Sequence, residues 1–202
     1  MAEVFQESIL FVVSGPSGSG KETIISRVLN EVDGLARIST YSTRAMRPGE
    51  TEGKPYHFIA DAEFDRLIAT GEIIESETVY GTHRYGSPRR ALEGSGDRDC
   101  LMELDPNGFR RMKKNRGAPT VGIFLLVPDL ETLNRRIMAR HAESDVEARI
   151  ATARQQIRES ADYDYLLMND DLETCGRNAV RICQVERLRR DGREQQRRLA
   201  NS

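Results

Sequence analysis

Nine consecutive residues, GPSGSGKET at 15–23, carry the densest chemical signal in the chain. Gly15, Gly18 and Gly20 permit backbone conformations that turn successive N–H groups toward one point, where they can receive phosphate oxygens. Pro16, Ser17 and Ser19 fill the turn between them, and Lys21 follows at the offset from which an ammonium reaches the outer phosphates of a nucleoside triphosphate. Residue 22 departs from the pattern. The motif G-x-x-x-x-G-K-[ST] ends on a hydroxyl that binds Mg²⁺, and here the position is Glu22. Three roles are open to it: a direct metal ligand, the mark of a lost metal site, or a first-turn residue facing solvent. A carboxylate beside a triphosphate is repelled unless a metal lies between them, whereas in the first turn of a helix it gains about 0.3–1 kcal/mol from the helix dipole. The solvent-facing role is therefore the expectation. Mg²⁺ is then held by phosphates and water, with Thr23 offering a hydroxyl.

Such a loop works only between a strand and a helix. Residues 9–13, ILFVV, supply a buried strand. In KETIISRVLNEV the apolar Ile24, Ile25, Val28, Leu29 and Val32 recur at helical spacing, so a helix starts at Lys21. Similar apolar runs at 8–13, 99–104, 120–127 and 163–168 alternate with helical patterns, among them LETLNRRIMARH and DVEARIATARQQIRES with HAESD (141–145) as a loop between them. That rhythm predicts an α/β fold with a parallel sheet and crossover helices. Residues 37–90 break it. Strand-like YHFIA and EIIESETVY, turn-rich RPGETEGKP and the short helix DAEFDRLIAT predict a small, mostly antiparallel insertion that serves a substrate.

Composition narrows the function class. At 202 residues, with 38% hydrophobic and 31% charged residues, the chain suits one folded body. Its longest apolar runs, 9–13 and 123–127, fall far short of the roughly 20 residues that cross a bilayer, and no secretory signal is apparent. A cytoplasmic protein with no membrane partner is expected. A net charge of -2 gives no general attraction to nucleic acid, and the basic stretch 186–202 reads as a solvated helical end. Cys100, Cys175 and Cys183, odd in number and far apart, read as reduced thiols.

At STYSTRAMRPGETEGKPYHF (39–58) the sequence resembles the guanylate kinases, whose pattern S-x-T-T-R-x-x-R-x-G-E-x-x-G-x-x-Y it meets closely, and the likeness runs from about residue 8 to 185. Thr40 stands where that pattern has Ser, beside Ser39, and GTHRYGS carries one extra residue. The resemblance implies a P-loop NTPase-type parallel sheet flanked by helices, in core segments of about 8–38, 98–135 and 150–190. It adds an inserted mixed α+β GMP-binding subdomain (about 39–90), a helical lid (about 136–149) and an exposed tail at 191–202.

By the same resemblance Arg44, Arg47, Tyr56 and Tyr85 grip the phosphate of GMP. Two guanidinium forks three residues apart suit a phosphate dianion, and phenols add donors without charge. Glu75 reads guanine, since a carboxylate accepts from both N1–H and the 2-amino group, with Thr40, Ser87 and Asp105 as further GMP contacts. Glu103 lies close to the metal and phosphates, Arg136, Arg140 and Arg149 embrace the ATP phosphates, and Asn169 of MNDD contacts the ATP base. The implied reaction is transfer of the ATP γ-phosphoryl group to GMP, with Mg²⁺ as cofactor. Lys21, Arg44, Arg136 and Arg149 would steady the transferring charge in a monomer or homodimer. Two alternatives are a silent binding module of the same fold and a related kinase with another phosphorylated acceptor.

Overall fold

In a computed structural model of the chain, residues 8–79, 83–93, 98–139 and 146–201 are described. Strand β1 (Leu10–Ser14) is buried along its whole length. Its side chains alternate between two cores. Phe11 and Val13 pack with Ile24, Ile25 and Val28 of α1 (Lys21–Glu31) and with Cys175, Ala179 and Cys183 of α7 (Leu172–Ala200). Leu10 and Val12 face Phe109 and Met112 of α4 (Pro106–Asn115) on the other side. A strand covered on both faces must be apolar throughout, which is why the run 9–13 shows no alternation.

The sheet order is β2 (Ala36–Arg37), β7 (Cys100–Glu103), β1, β8 (Thr120–Leu126), β9 (Tyr165–Met168), and every pairing is parallel. Val13 pairs with Glu103, so β1 and β7 end side by side. The loop after β1 and the chain after β7 therefore open at one carboxyl edge, where ligands of open α/β sheets bind.

The segment expected to be an insertion forms a separate sheet in the order β4 (Tyr56–Phe58), β3 (Thr40–Ser42), β6 (His83–Pro88), β5 (Ile73–Val79). The β3–β4 pairing is parallel and the other two are antiparallel. Phe64 and Leu67 of α2 (Asp61–Ala69) close its core over Ile73. The short α3 (Arg90–Glu93) follows β6. Beyond β8, Leu133 and Ile137 of α5 (Leu130–Met138) pack on Ala153 of α6 (Val146–Arg158). The loop expected at 141–145 lies outside the described residues.

The C-terminal stretch corrects one expectation. Residues 191–200 continue α7 as a largely exposed helix, but Arg187 and Arg190 are not a solvated end. Arg187 Nε and Arg190 Nη1 donate to the two oxygens of Asp99 at 2.7 and 2.5 Å, and the Ile9 N–H donates to the same carboxylate at 2.7 Å. Asp99 is only 4% exposed, and a buried carboxylate is tolerated when such donors surround it. The three cysteines are buried and form no disulfide, and burial pushes the Cys175 thiol up to about 11. Among the described residues no helix is long and apolar enough to cross a membrane.

Candidate active site

The glycine-rich turn between β1 and α1 is held by close backbone approach. Gly15 lies at φ 150° and Gly20, the N-cap of α1, at φ 89°. A Cβ on Gly15 would stand 2.7 Å from the Leu125 carbonyl, and one on Gly20 would meet the Asn169 amide, so neither position admits a side chain. Lys21 Nζ donates to the Gly15 and Pro16 carbonyls at 2.8 and 3.1 Å and lies 3.5 Å from Glu103 Oε1. Ser19 is fully buried, and its Oγ has no partner among the described residues. Gly18 sits under Arg136 of α5, whose Nη1 and Nη2 make long contacts of 3.5 and 3.4 Å to the Gly18 and Asn169 carbonyls.

Asn169, expected at the ATP base, makes a bond to the loop itself. It is 3% exposed, and its Nδ2 donates to the Ser19 carbonyl at 2.7 Å. The amide group braces the phosphate loop from behind, because Ser19's buried carbonyl needs a donor that the loop itself does not supply. Arg149 of α6 lines the cleft beside the loop. Arg140 lies outside the described residues.

Glu22 lies exposed in the first turn of α1, as the solvent-facing reading expects, and has a partner that the reading did not name. Both its oxygens accept from Arg37, Oε1 from Nη1 and Oε2 from Nη2, each at 2.7 Å. The Glu22 side chain is 56% exposed while that of Arg37 is only 16% exposed. Burial, the largest single effect, opposes the charge of Arg37, but the hydrogen bonds and charge of Glu22 together with Glu103 and Tyr56 outweigh it and raise its pKa. Thr23, the expected hydroxyl for the metal, is exposed in the first turn and off the cleft wall. The carboxylate nearest Lys21 on that wall is Glu103. Among the described residues no group of three His, Cys, Asp or Glu gathers to hold a cation. A single carboxylate beside a phosphate loop still fits a Mg²⁺ ion that keeps several waters and takes its other ligands from phosphates.

All eight residues expected on the acceptor side line the same cleft as Gly15, Ser17 and Lys21. Arg44 is 6% exposed and extends over the Tyr56 and Phe58 rings, 5.0 Å from each centroid. Glu50 receives its Nη1 and Nη2 at 2.6 and 2.5 Å and the Arg47 N–H at 2.8 Å. The Arg44 fork holds the Glu50 carboxyl below the usual range. Arg47 itself is exposed at the cleft mouth. Tyr56 and Tyr85 meet edge to face at 5.5 Å, and burial, with Glu103 and Tyr85 adding to it, keeps Tyr56 a neutral phenol. Ser39 donates to the Gly53 carbonyl at 2.5 Å, which leaves Thr40 as the hydroxyl on the cleft wall. Gly81 and Thr82, where the extra residue falls, lie outside the described residues, but Tyr85 is held in register opposite Ser42 and Glu77.

Deeper in, Glu75 pairs with Ser87 across β5 and β6 and accepts its hydroxyl at 2.6 Å. Asp105 caps α4, taking the Gly108 N–H on Oδ1 at 2.9 Å. Burial pushes its carboxyl above the usual range, Glu75 and Glu77 add to this, and the Gly108 bond opposes it. Three supporting residues escaped the sequence reading: Arg37, Glu50 and Arg111. Each is a charged partner of an expected site residue, and only Glu50 carried a signal, as the acidic residue of the RPGE stretch.

A glycine-rich loop from the central strand to α1, opening beside the ends of β1 and β7, defines the P-loop α/β phosphate-binding class. A family model described as guanylate kinase matches residues 7–185. A guanylate kinase of Sphingopyxis alaskensis is 38% identical over 189 residues, 92% of this chain and 86% of that protein. Another, from Symbiobacterium thermophilum, is 38% identical over 187 residues, 91% and 88% of the two chains. The crystal structure of guanylate kinase from Anaplasma phagocytophilum superposes with a TM-score of 0.73 at 32% identity, covering 89% of this chain and 85% of that one. The chain belongs to the guanylate kinase family.

Proposed function

We infer that ATP lies with its phosphates in the 15–21 loop and GMP against the second sheet, the two meeting in one cleft. The chain is an ATP:GMP phosphotransferase, transferring the γ-phosphoryl group of ATP to GMP to give ADP and GDP. The observation that carries the residue assignment is the continuity of the cleft, whose wall runs from Gly15 and Lys21 to Arg44, Glu75 and Asp105.

The acceptor phosphate of GMP needs no activation, so the protein's work is placement and charge neutralisation. Arg44, Arg47, Tyr56 and Tyr85 hold that phosphate, and Glu75, Ser87, Thr40 and Asp105 hold the nucleoside. An acceptor oxygen forms the new bond to the γ-phosphorus as the bond to the ADP oxygen breaks. Lys21 moves from the Gly15 and Pro16 carbonyls to the donor phosphates, and Arg136 and Arg149 approach from α5 and α6. Asn169 acts at one remove, by bracing the loop. Mg²⁺ is our assignment for the divalent cation: held by phosphates, water and Glu103, it would supply further charge neutralisation. Residues 39–90 are assigned as the GMP-binding unit and 136–149 as the lid.

The test is a coupled ADP-release assay with ATP and a panel of nucleoside monophosphates. A site that spends buried acceptors on the N1–H and 2-amino pair rejects analogues lacking it by roughly 10⁴-fold in kcat/KM, so AMP is expected to be a very poor acceptor. Comparable turnover of AMP and GMP would remove Glu75 as the base reader.

A further inference from the structure

The Glu75 side chain is 7% exposed, and a carboxylate so buried must have its lone pairs engaged. Ser87 takes one on Oε1. The second partner comes from the core, in α4. Arg111 of α4 converges on Oε2 with Nε–H at 3.1 Å and Nη2–H at 2.8 Å, and the same Nη2 reaches Glu77 Oε2 at 3.0 Å. A Cβ on Gly108 would stand 3.3 and 3.4 Å from the two Glu75 oxygens, so the first turn of α4 presses directly against the carboxylate. Arg111 does not line the cleft; it stands behind Glu75.

We propose that Arg111 is a specificity-positioning residue, fixing the plane of the Glu75 carboxylate so that its open edge faces the paired N–H donors of guanine. The proposal rests on the assignment of Glu75 as the base reader. A carboxylate offers about four acceptor sites. Ser87 occupies one on Oε1, and both N–H groups of the Arg111 fork converge on Oε2 from α4, so the side of each oxygen turned away from these donors is what remains for N1–H and the 2-amino group. The fork also ties Glu75 to Glu77 through one cation, relieving repulsion between carboxylates two residues apart on one face of β5. Because α4 belongs to the core and β5 to the second sheet, the bond sets the base reader at a fixed place relative to the phosphate loop. An ammonium lacks the planar fork, so Lys at this position keeps the charge but loses the orientation.

Steady-state kinetics of Arg111→Met, Arg111→Lys and Glu75→Gln with GMP and with inosine monophosphate test this. The inosine nucleotide keeps N1–H and lacks the 2-amino donor. KM for ATP and the unfolding temperature are measured alongside. In Arg111→Met, KM for GMP is expected to rise about tenfold and the GMP-to-inosine ratio of kcat/KM to shrink about fivefold, with KM for ATP within about twofold of the parent. Arg111→Lys is expected to lose at least about half of that ratio while unfolding at the parent temperature, and it decides the matter if the Met variant does not fold. A merely structural role would lower both acceptors in proportion. An unchanged ratio in Arg111→Lys and in any folded Arg111→Met, with GMP use collapsed in Glu75→Gln, overturns the role of Arg111 alone. Undiminished GMP use and an unchanged ratio in Glu75→Gln overturn the reading of Glu75 and the proposal with it.

Discussion

The two ends of the cleft are prepared in different ways. The donor end is nine consecutive residues whose backbone is shaped by glycines and clamped by core neighbours: the Leu125 carbonyl against Gly15, the Asn169 amide against Ser19 and Gly20. The acceptor end is collected from β3, β4, β5, β6 and the first turn of α4, and its groups are held by side-chain ion pairs such as Arg44 with Glu50 and Arg111 with Glu75. Backbone shaping leaves little to compensate, because the N–H groups and the lysine act together on one phosphate chain. Side-chain bracing is divisible, and each brace can be removed singly. Substitutions at the donor end should therefore strike kcat, and those behind the acceptor end should strike KM for GMP.

The largest effect that would sharpen this contrast is expected from Lys21→Ala. Lys21 is only partly exposed, and by the assignment proposed above it sits where charge on the transferred group develops. Its loss should lower kcat by at least about 10²-fold, with the unfolding transition little changed, because the loop geometry rests on glycines and Asn169. A kcat near the parent value would break the comparison at its donor end.

A smaller effect is expected behind the acceptor phosphate. Arg44 is 5% exposed at its side chain, and Glu50 is its bidentate partner. Glu50→Gln leaves a buried guanidinium with weaker acceptors. The cost should be about 1–2 kcal/mol of stability and about a fivefold rise in KM for GMP, with kcat and KM for ATP nearly unchanged. A fall in KM would mean instead that Glu50 competes with the phosphate for Arg44 more than it orients it. Urea unfolding and initial-rate kinetics on one preparation separate the two contributions.

The contrast also explains what was legible in the sequence. The donor end was readable because strand, glycine spacing and helix periodicity lie in one continuous stretch, and the parallel sheet followed from apolar runs that must be buried on both faces. The eight residues gathered at the other end of the cleft were singled out through a family pattern. Their braces were not. Arg111 is separated from Glu75 by 36 residues in a helix of polar appearance, and Asp99 from Arg187 by 88, so nothing local announces either pair. Asn169 is a related case: the pattern at MNDD pointed to the nucleotide, and only the fold reveals that its buried amide donates to the Ser19 carbonyl.

The finest test concerns the residue at which the loop departs from its motif. Glu22 sits at the donor end yet is braced in the acceptor manner, by the two-pronged bond from Arg37. With the carboxylate 56% exposed, the pair is worth no more than about 0.2–1 kcal/mol, so Glu22→Ser should leave kcat within about twofold and the Mg²⁺ requirement equal or slightly lower. Arg37→Met removes the neutralising partner and leaves a bare carboxylate in the first turn below a triphosphate. KM for ATP should then rise about two- to threefold, an effect that ionic strength weakens. If neutralisation is the whole role of Arg37, the double substitution with Glu22→Ser returns KM for ATP to the parent value, because no charge remains to be neutralised. A double variant no better than Arg37→Met alone would assign Arg37 a direct part in the cleft, beside Glu103 and Tyr56. A steep rise in the Mg²⁺ needed by Glu22→Ser would make the carboxylate a metal ligand after all, and the donor end would no longer be a site built by backbone alone.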